Sequence, residues 1–253
     1  MEHRLLQLLE TLSLKGVASV LERELVRSER EASTISEVLE RLLEEEYIHR
    51  QEKSLAYRIR QAKLPWDWSL ESFPFQRQPG VNQRQIRQLA SLDFIKRSEN
   101  IVFIGRPGTG KTGLAISLLR QSLLNQFRGR FYNAQELMDD LYASLADRST
   151  SSLLKKLAAF DLLVIDELGY LTLKPEQANA FFKLMDLRYG KKATIITTNL
   201  DFPDWYTLFQ HKPLVDALLD RLQHRCTTIR IDGPSLRNRA SSTKKKSPDN
   251  TKN

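Results

Sequence analysis

Eight residues constrain this chain more than any others. Gly105-Arg106-Pro107-Gly108-Thr109-Gly110-Lys111-Thr112 lies between an apolar stretch and a segment of helical character. It fits the pattern G-x-x-x-x-G-K-[ST], in which glycines let the backbone curl so that successive N–H groups face a phosphate. Helix opening directly behind such a loop adds positive potential. Lys111 then reaches the β- and γ-phosphates, and the Thr112 hydroxyl is placed to ligate Mg²⁺. The reading is a nucleotide site for ATP and Mg²⁺, with Gly113 continuing the loop into the helix.

The surrounding pattern agrees. Short apolar runs predict strands over 100–104, 129–132, 162–165, 193–198 and 227–231, and helical patterns fall at 112–126, 134–145, 153–159, 175–189 and 213–223. Strands alternating with helices imply an α/β fold, a parallel sheet covered on both faces. The third run ends in Asp166-Glu167. A carboxylate just past the end of a buried strand, beside a phosphate loop, can hold the Mg²⁺ water shell, and its neighbour Glu167 can polarise an attacking water. The next strand ends in Thr197-Thr198-Asn199, where a neutral polar side chain can meet the γ-phosphate or orient the water. Phosphoryl transfer also draws on arginines supplied from outside the loop. Arg221 and Arg237 are the leading candidates, with Arg188 third.

Ahead of this lies a helical region, residues 1–64. Leu5, Leu8, Leu9 and Leu12, then Ile35, Val38, Leu39, Leu42 and Leu43, recur at helical spacing, with breaks at Gly16 and around 33–36. The stretch from Ser33 to Glu37 offers several N-caps. Pro65, Trp66, Trp68, Pro74 and Pro79-Gly80 end the periodicity and mark a linker over 65–80, with the two tryptophans as its anchors rather than base-stacking groups. The nucleotide-binding domain is expected over 81–239. Residues 240–253 carry no apolar side chain after the first and are expected to be a disordered basic tail.

Charge narrows the partners. Lys and Arg number 39 against 31 Asp and Glu, a net +8, and residues 221–253 alone hold nine basic and two acidic groups. A cationic end suits a polyanion such as nucleic acid. A second basic segment holds Lys53, Arg58, Arg60 and Lys63, which with Lys244–Lys246 can neutralise phosphates without reading sequence. No zinc spacing, helix-turn-helix pattern or stacked-aromatic motif appears, so base readout is not expected. The single cysteine, Cys226, excludes an internal disulfide and a cysteine-based metal cluster, and fits a reducing compartment. No secretory leader and no run of 18 apolar residues appears, so the expectation is a soluble cytoplasmic protein without a membrane partner.

Phosphate loop, Asp166-Glu167, Asn199 and Arg221, in that order, resemble the Walker A, Walker B, sensor-1 and arginine-finger elements of AAA+ ATPases. The flanking words, Leu92-Asp-Phe-Ile-Lys-Arg-Ser-Glu-Asn100, Ile165-Asp-Glu-Leu-Gly-Tyr-Leu171, Thr194-Ile-Ile-Thr-Thr-Asn199 and Ala217-Leu-Leu-Asp-Arg-Leu222, resemble IstB-type helper ATPases of bacterial insertion sequences, relatives of the DnaC-type helicase loaders. The N-terminal helices and Ala62-Lys-Leu-Pro65 fit as well, so the resemblance covers about residues 1–240. It implies a P-loop domain behind a small helical domain, and an ATP-regulated homo-oligomer with its ATP sites between subunits. Such an assembly binds duplex DNA, deforms it and presents it to a transposase. It implies Lys111 and Thr112 as the Walker A pair, Asp166 as the Mg²⁺-site acid, Glu167 as the base, Asn199 as sensor 1, Arg221 as a finger acting in trans and Arg237 as sensor 2. Leu236 stands where that family usually has tyrosine, and the residues left after Arg221 are too few for a large lid domain. A replicative helicase loader is the alternative. A metabolic P-loop kinase is a third reading, disfavoured because Asp166-Glu167 followed by Asn199 suits water as the nucleophile.

Overall fold

The computed structural model describes residues 2–237, with the side chains of the first two of these left aside. The chain divides into two compact units that meet in sequence between Ala62 and Lys63. The expected tail, 240–253, lies outside the described residues.

The first unit is three helices, α1 (Glu2–Thr11), α2 (Lys15–Glu31) and α3 (Ile35–Ala62). Leu9, Val17, Val20, Leu21 and Leu42 form its core. Gly16 does not break a helix. It lies in the first turn of α2, where a Cβ would stand 2.7 Å from the Glu46 Cα, so its lack of a side chain lets α3 approach. The break falls at Ser13, in the left-handed region at φ 57°. Leu14 offers no cap, and the buried Glu46 of α3 supplies one, accepting from the Gly16 and Val17 amides at 2.7 and 3.3 Å. Of the several caps on offer for α3, the structure uses Thr34: its hydroxyl takes the Glu37 amide at 3.3 Å while the Glu37 carboxylate takes the Thr34 amide at 2.7 Å.

The second unit is built on five parallel strands: β1 (Asn100–Gly105), β2 (Gly129–Asn133), β3 (Leu162–Asp166), β4 (Ala193–Thr198) and β5 (Cys226–Ile231). Their order is β2-β3-β4-β1-β5. The register makes one row of Phe131, Val164, Ile195 and Ile101, and the next of Tyr132, Ile165, Ile196 and Val102. Successive side chains of a strand point to opposite faces, so the first row enters one core and the second row the other. α6 (Lys111–Leu124) serves the first core, together with α4 (Gln83–Leu89) and α5 (Asp93–Lys96). The second is covered by α7 (Ala134–Ala146), α8 (Thr150–Ala158), α9 (Pro175–Arg188), α10 (Trp205–Phe209) and α11 (Lys212–His224). Burial on both faces explains why β1 and β3 read as nearly unbroken apolar runs, while β2 and β5 at the sheet edges admit Arg130 and Arg230.

Residues 65–80, expected to run as a linker, fold onto this second unit. Phe73 is buried in the first core, with Leu64, Trp68, Leu70 and Phe75 packed around it. The prolines and glycine that end the helical pattern shape a packed loop, because four apolar rings and chains within it find a core to enter. Among the described residues no helix is long and apolar enough to cross a membrane.

Candidate nucleotide site

β1 sits near the middle of the sheet, flanked by β4 and β5, and its C-terminal end is where strand order reverses. Ligands of open parallel sheets lie at such a point. The turn from β1 into α6 is the glycine loop. Gly108 and Gly110 take φ values of 80° and 93°, open to glycine at little cost. Gly110 has a second reason to lack a Cβ, which would stand 2.8 Å from the Phe73 ring. The loop is held from outside: Leu236 N donates to the Gly108 carbonyl at 2.8 Å, and the buried Gln78 amide donates to the carbonyls of Thr109 and Pro234 at 3.1 and 2.9 Å.

Lys111 opens α6 and folds back, its Nζ donating to the carbonyls of Gly105 and Arg106 at 2.7 and 2.9 Å. Burial lowers its pKa, and the nearby carboxylates of Asp166 and Glu167 pull the other way. Thr112 Oγ1 donates to Asp166 Oδ1 at 2.8 Å. Thr197 Oγ1 donates to the same oxygen at 2.6 Å and accepts from the Glu167 amide at 2.9 Å. Burial raises the Asp166 pKa even so, with the two threonine hydrogen bonds and Lys111 opposing. Glu167 leaves β3 in the left-handed region, φ 62°, which carries its carboxylate away from the strand line. Asn133 Nδ2 reaches Glu167 Oε2 at 3.4 Å.

Gly108, Gly110, Lys111, Thr112, Glu167 and Asn199 line one cavity of about 580 Å³, and Asp166, Asn133 and Glu167 line a neighbouring one. A cavity of this size suits a drug-sized or nucleotide ligand. Asn199 Oδ1 is buried without a hydrogen-bond partner, which is costly unless a ligand or solvent group meets it. Curled loop amides, a lysine and a hydroxyl paired with a carboxylate fit a triphosphate, whereas the orphaned Asn199 oxygen, an acceptor, suits a donor such as water. Among the described residues no group of three or more His, Cys, Asp or Glu side chains is placed to hold a metal. Thr112 and Asp166 alone suit Mg²⁺, which takes one or two protein ligands and completes its shell with phosphate and water.

The arginines separate. Arg237 lies on the wall of the cavity with Leu236. Arg221 lies outside it on α11, paired with Asp186 at 2.9 Å and seated 5.0 Å from the centre of the Phe182 ring. Arg188 cannot serve as a finger. It is 1% exposed and donates to Thr194 Oγ1 and to the carbonyls of Leu157, Phe160 and Ala193, a structural cation that ties α9 to α8 and β4. Burial takes its guanidinium down to about 9, still charged at neutral pH.

Three of the four basic residues expected to meet DNA lie on α3. Lys53 and Arg60 are two turns apart on α3 and share a face, whereas Arg58 sits well round the helix, bonded to Ser54 at 2.6 Å. Lys63 follows the helix and belongs to the second unit. Sequence reasoning named Thr197 without its role as the partner of Asp166 and Glu167, and it missed Gln78 and Phe73. The first stands two positions before Asn199, and its role could have been found by asking what holds a buried Asp166. The other two act through contacts more than 30 residues away and leave no local signal.

Residues 7–244 match the family model described as IstB-like ATP binding protein. The ATP-binding protein of insertion sequence IS21 from Pseudomonas aeruginosa is 36% identical over 235 residues, 93% of this chain and 89% of the relative. The corresponding protein of insertion sequence IS5376 from Geobacillus stearothermophilus is 39% identical over 205 residues, 80% of each chain. Among solved structures, the DnaC helicase loader superposes with a TM-score of 0.56 at 23% identity, covering 68% of this chain and all of that one. The replication initiator DnaA bound to AMPPCP and single-stranded DNA gives 0.56 at 18% identity, covering 67% of this chain and 51% of that one. At these identities the two structures speak for a shared fold alone.

Proposed function

The chain belongs to the family of IstB-like ATP binding proteins, insertion-sequence ATP-binding proteins on the AAA+ fold, and from that premise we propose that it is a transposition helper ATPase of the cytoplasm. It binds duplex DNA through phosphates without sequence choice and assembles on it with ATP sites between copies. The assembly deforms the target and delivers it to a partner transposase.

The observation that carries the hydrolytic part is the meeting of Thr112, Asp166 and Glu167 on one side of the glycine loop, with Asn199 facing the same cavity. Lys111 exchanges its two loop carbonyls for the β- and γ-phosphates of ATP. Thr112 and Asp166 are the residues that hold Mg²⁺, which neutralises phosphate charge when bound. Glu167 takes a proton from water as the water oxygen bonds to the γ-phosphorus, and the bond to the bridging oxygen breaks to release ADP. Asn199 aligns the water or the γ-phosphate. Arg221, outside its own subunit's cavity, completes a neighbour's site, and Arg237 senses the nucleotide within its own. Lys53, Arg58, Arg60 and Lys63 supply contacts to DNA phosphates.

A helicase loader is the second reading, supported by the likeness to the DnaC loader. That likeness is one of fold, whereas the insertion-sequence relatives match over nearly the whole chain. The two readings part on substrate. The first expects ATP to raise affinity for duplex more than for single strands of equal length. ATP-dependent preference for single strands would favour the loader.

A further inference from the structure

Two tryptophans share the cavity with the glycine loop, and neither takes part in the chemistry of the terminal phosphate. Trp66 and Trp68 stand two residues apart on a segment without helix or strand, and both border this cavity. Asp67 between them forms an ion pair with Arg120 of α6. The Trp68 ring lies against Gly113, where a Cβ would stand 2.7 Å from the ring carbon Cε3. Phe73 meets that ring edge-on with centroids 6.2 Å apart, and Phe75 backs Phe73 at 4.8 Å. Trp68 is therefore pinned at the first turn of α6. Trp66 is 60% exposed, and its ring borders both this cavity and the neighbouring one that Glu167 also lines.

Lys111, Glu167 and Asn199 mark the end of the cavity that suits a terminal phosphate. A nucleoside triphosphate laid along the loop carries its base toward the lining these residues leave, where Trp66, Trp68, Pro107 and Leu236 supply apolar surface beside Tyr170, Thr198 and Arg237. Planar bases stack on aromatic side chains whatever their hydrogen-bonding edge, because every base has a π-face. We propose that Trp66 and Trp68 form the base-binding wall of the nucleotide site, a surface that grips a purine by stacking and reads little of its edge. It rests on the nucleotide reading of the cavity and adds how the base is held: ATP and GTP bind with similar affinity, and pyrimidine triphosphates, with less ring to stack, bind more weakly.

The chain has three tryptophans, and Trp205 is fully buried, so a ligand-induced change in tryptophan fluorescence reports on Trp66 and Trp68. The full-length protein, with Mg²⁺, is titrated with ATP, GTP, CTP and tripolyphosphate by fluorescence and calorimetry. ATP and GTP are expected to quench the emission. Trp66→Ala and Trp68→Ala are expected to weaken ATP by roughly tenfold or more while tripolyphosphate stays within about twofold, and Trp68→Phe to keep most of the ATP affinity. Equal losses for ATP and tripolyphosphate, or ATP affinity untouched in both alanine variants, would overturn the wall and leave the phosphate site standing. A wild-type protein that binds none of the ligands would sink the nucleotide reading and the wall together. If Trp68→Ala does not fold, the same comparison of ATP with tripolyphosphate is decided by the exposed Trp66→Ala and the conservative Trp68→Phe.

Discussion

At the scale of single residues, Asp166 sets burial against ionisation. Burial raises its pKa, so its folded value lies above its unfolded one. A carboxyl shifted that way favours the folded state below its unfolded pKa, and the favour is lost as pH rises through the folded pKa. Above that range the ionised side chain weighs on the nucleotide-free protein. Asp166→Asn should therefore unfold at a higher temperature than the parent at pH 8, and thermal scans without nucleotide should show the gap closing as pH falls through the raised range. Thr197 works the other way. Thr197→Val removes a hydrogen bond to Asp166 and an acceptor for the Glu167 amide, and should cost about 1–3 kcal/mol in denaturant titrations. Lys111, Glu167 and Asn199 come together on one cavity, and the sequence brought them forward because each is a charged or polar residue beside a glycine loop or a strand end. Arg188 was misread because a sequence shows the charge and not the four acceptors that enclose it.

Elements were legible in proportion to their length and to how local their causes are. All five strands lie within a residue of their expected bounds; β1, β3 and β4 are buried on both faces and have little polar alternation to obscure them, whereas the edge strands β2 and β5 carry Arg130 and Arg230. α4, α5 and α10, of one or two turns each, were not foreseen, because a helix that short takes its stability from the core it meets. The same holds for residues 65–80, whose prolines speak of a break and whose aromatics speak only once a core exists. α6 carries a test of this coupling. In an exposed helix Gly→Ala gains up to about 1 kcal/mol, but at Gly113 the new methyl meets the Trp68 ring. Gly113→Ala should lose about 1–3 kcal/mol instead, and trimming the ring in the double variant with Trp68→Leu should recover part of it, read by chemical denaturation.

For the whole molecule the questions are electrostatic and between copies. If the site is completed by a neighbour, Lys111→Ala and Arg221→Ala proteins, each inactive alone, should recover ATPase activity when mixed. No recovery at any ratio would count against a shared site. If DNA is held by its phosphates, a plot of log K against log salt should fall with a slope near −0.9 for each phosphate neutralised; a flat plot would remove the basic residues from the account. One contact described earlier also bears on how the molecule comes into being. Gln78 hydrogen-bonds Pro234, 156 residues later, and Leu236 closes on Gly108. The glycine loop is thus complete only when both ends of the second unit have arrived. During synthesis its own residues emerge early, yet the contacts that set its shape wait until residue 236 has left the ribosome. The most recognisable segment of the sequence should be among the last parts of the fold to become rigid.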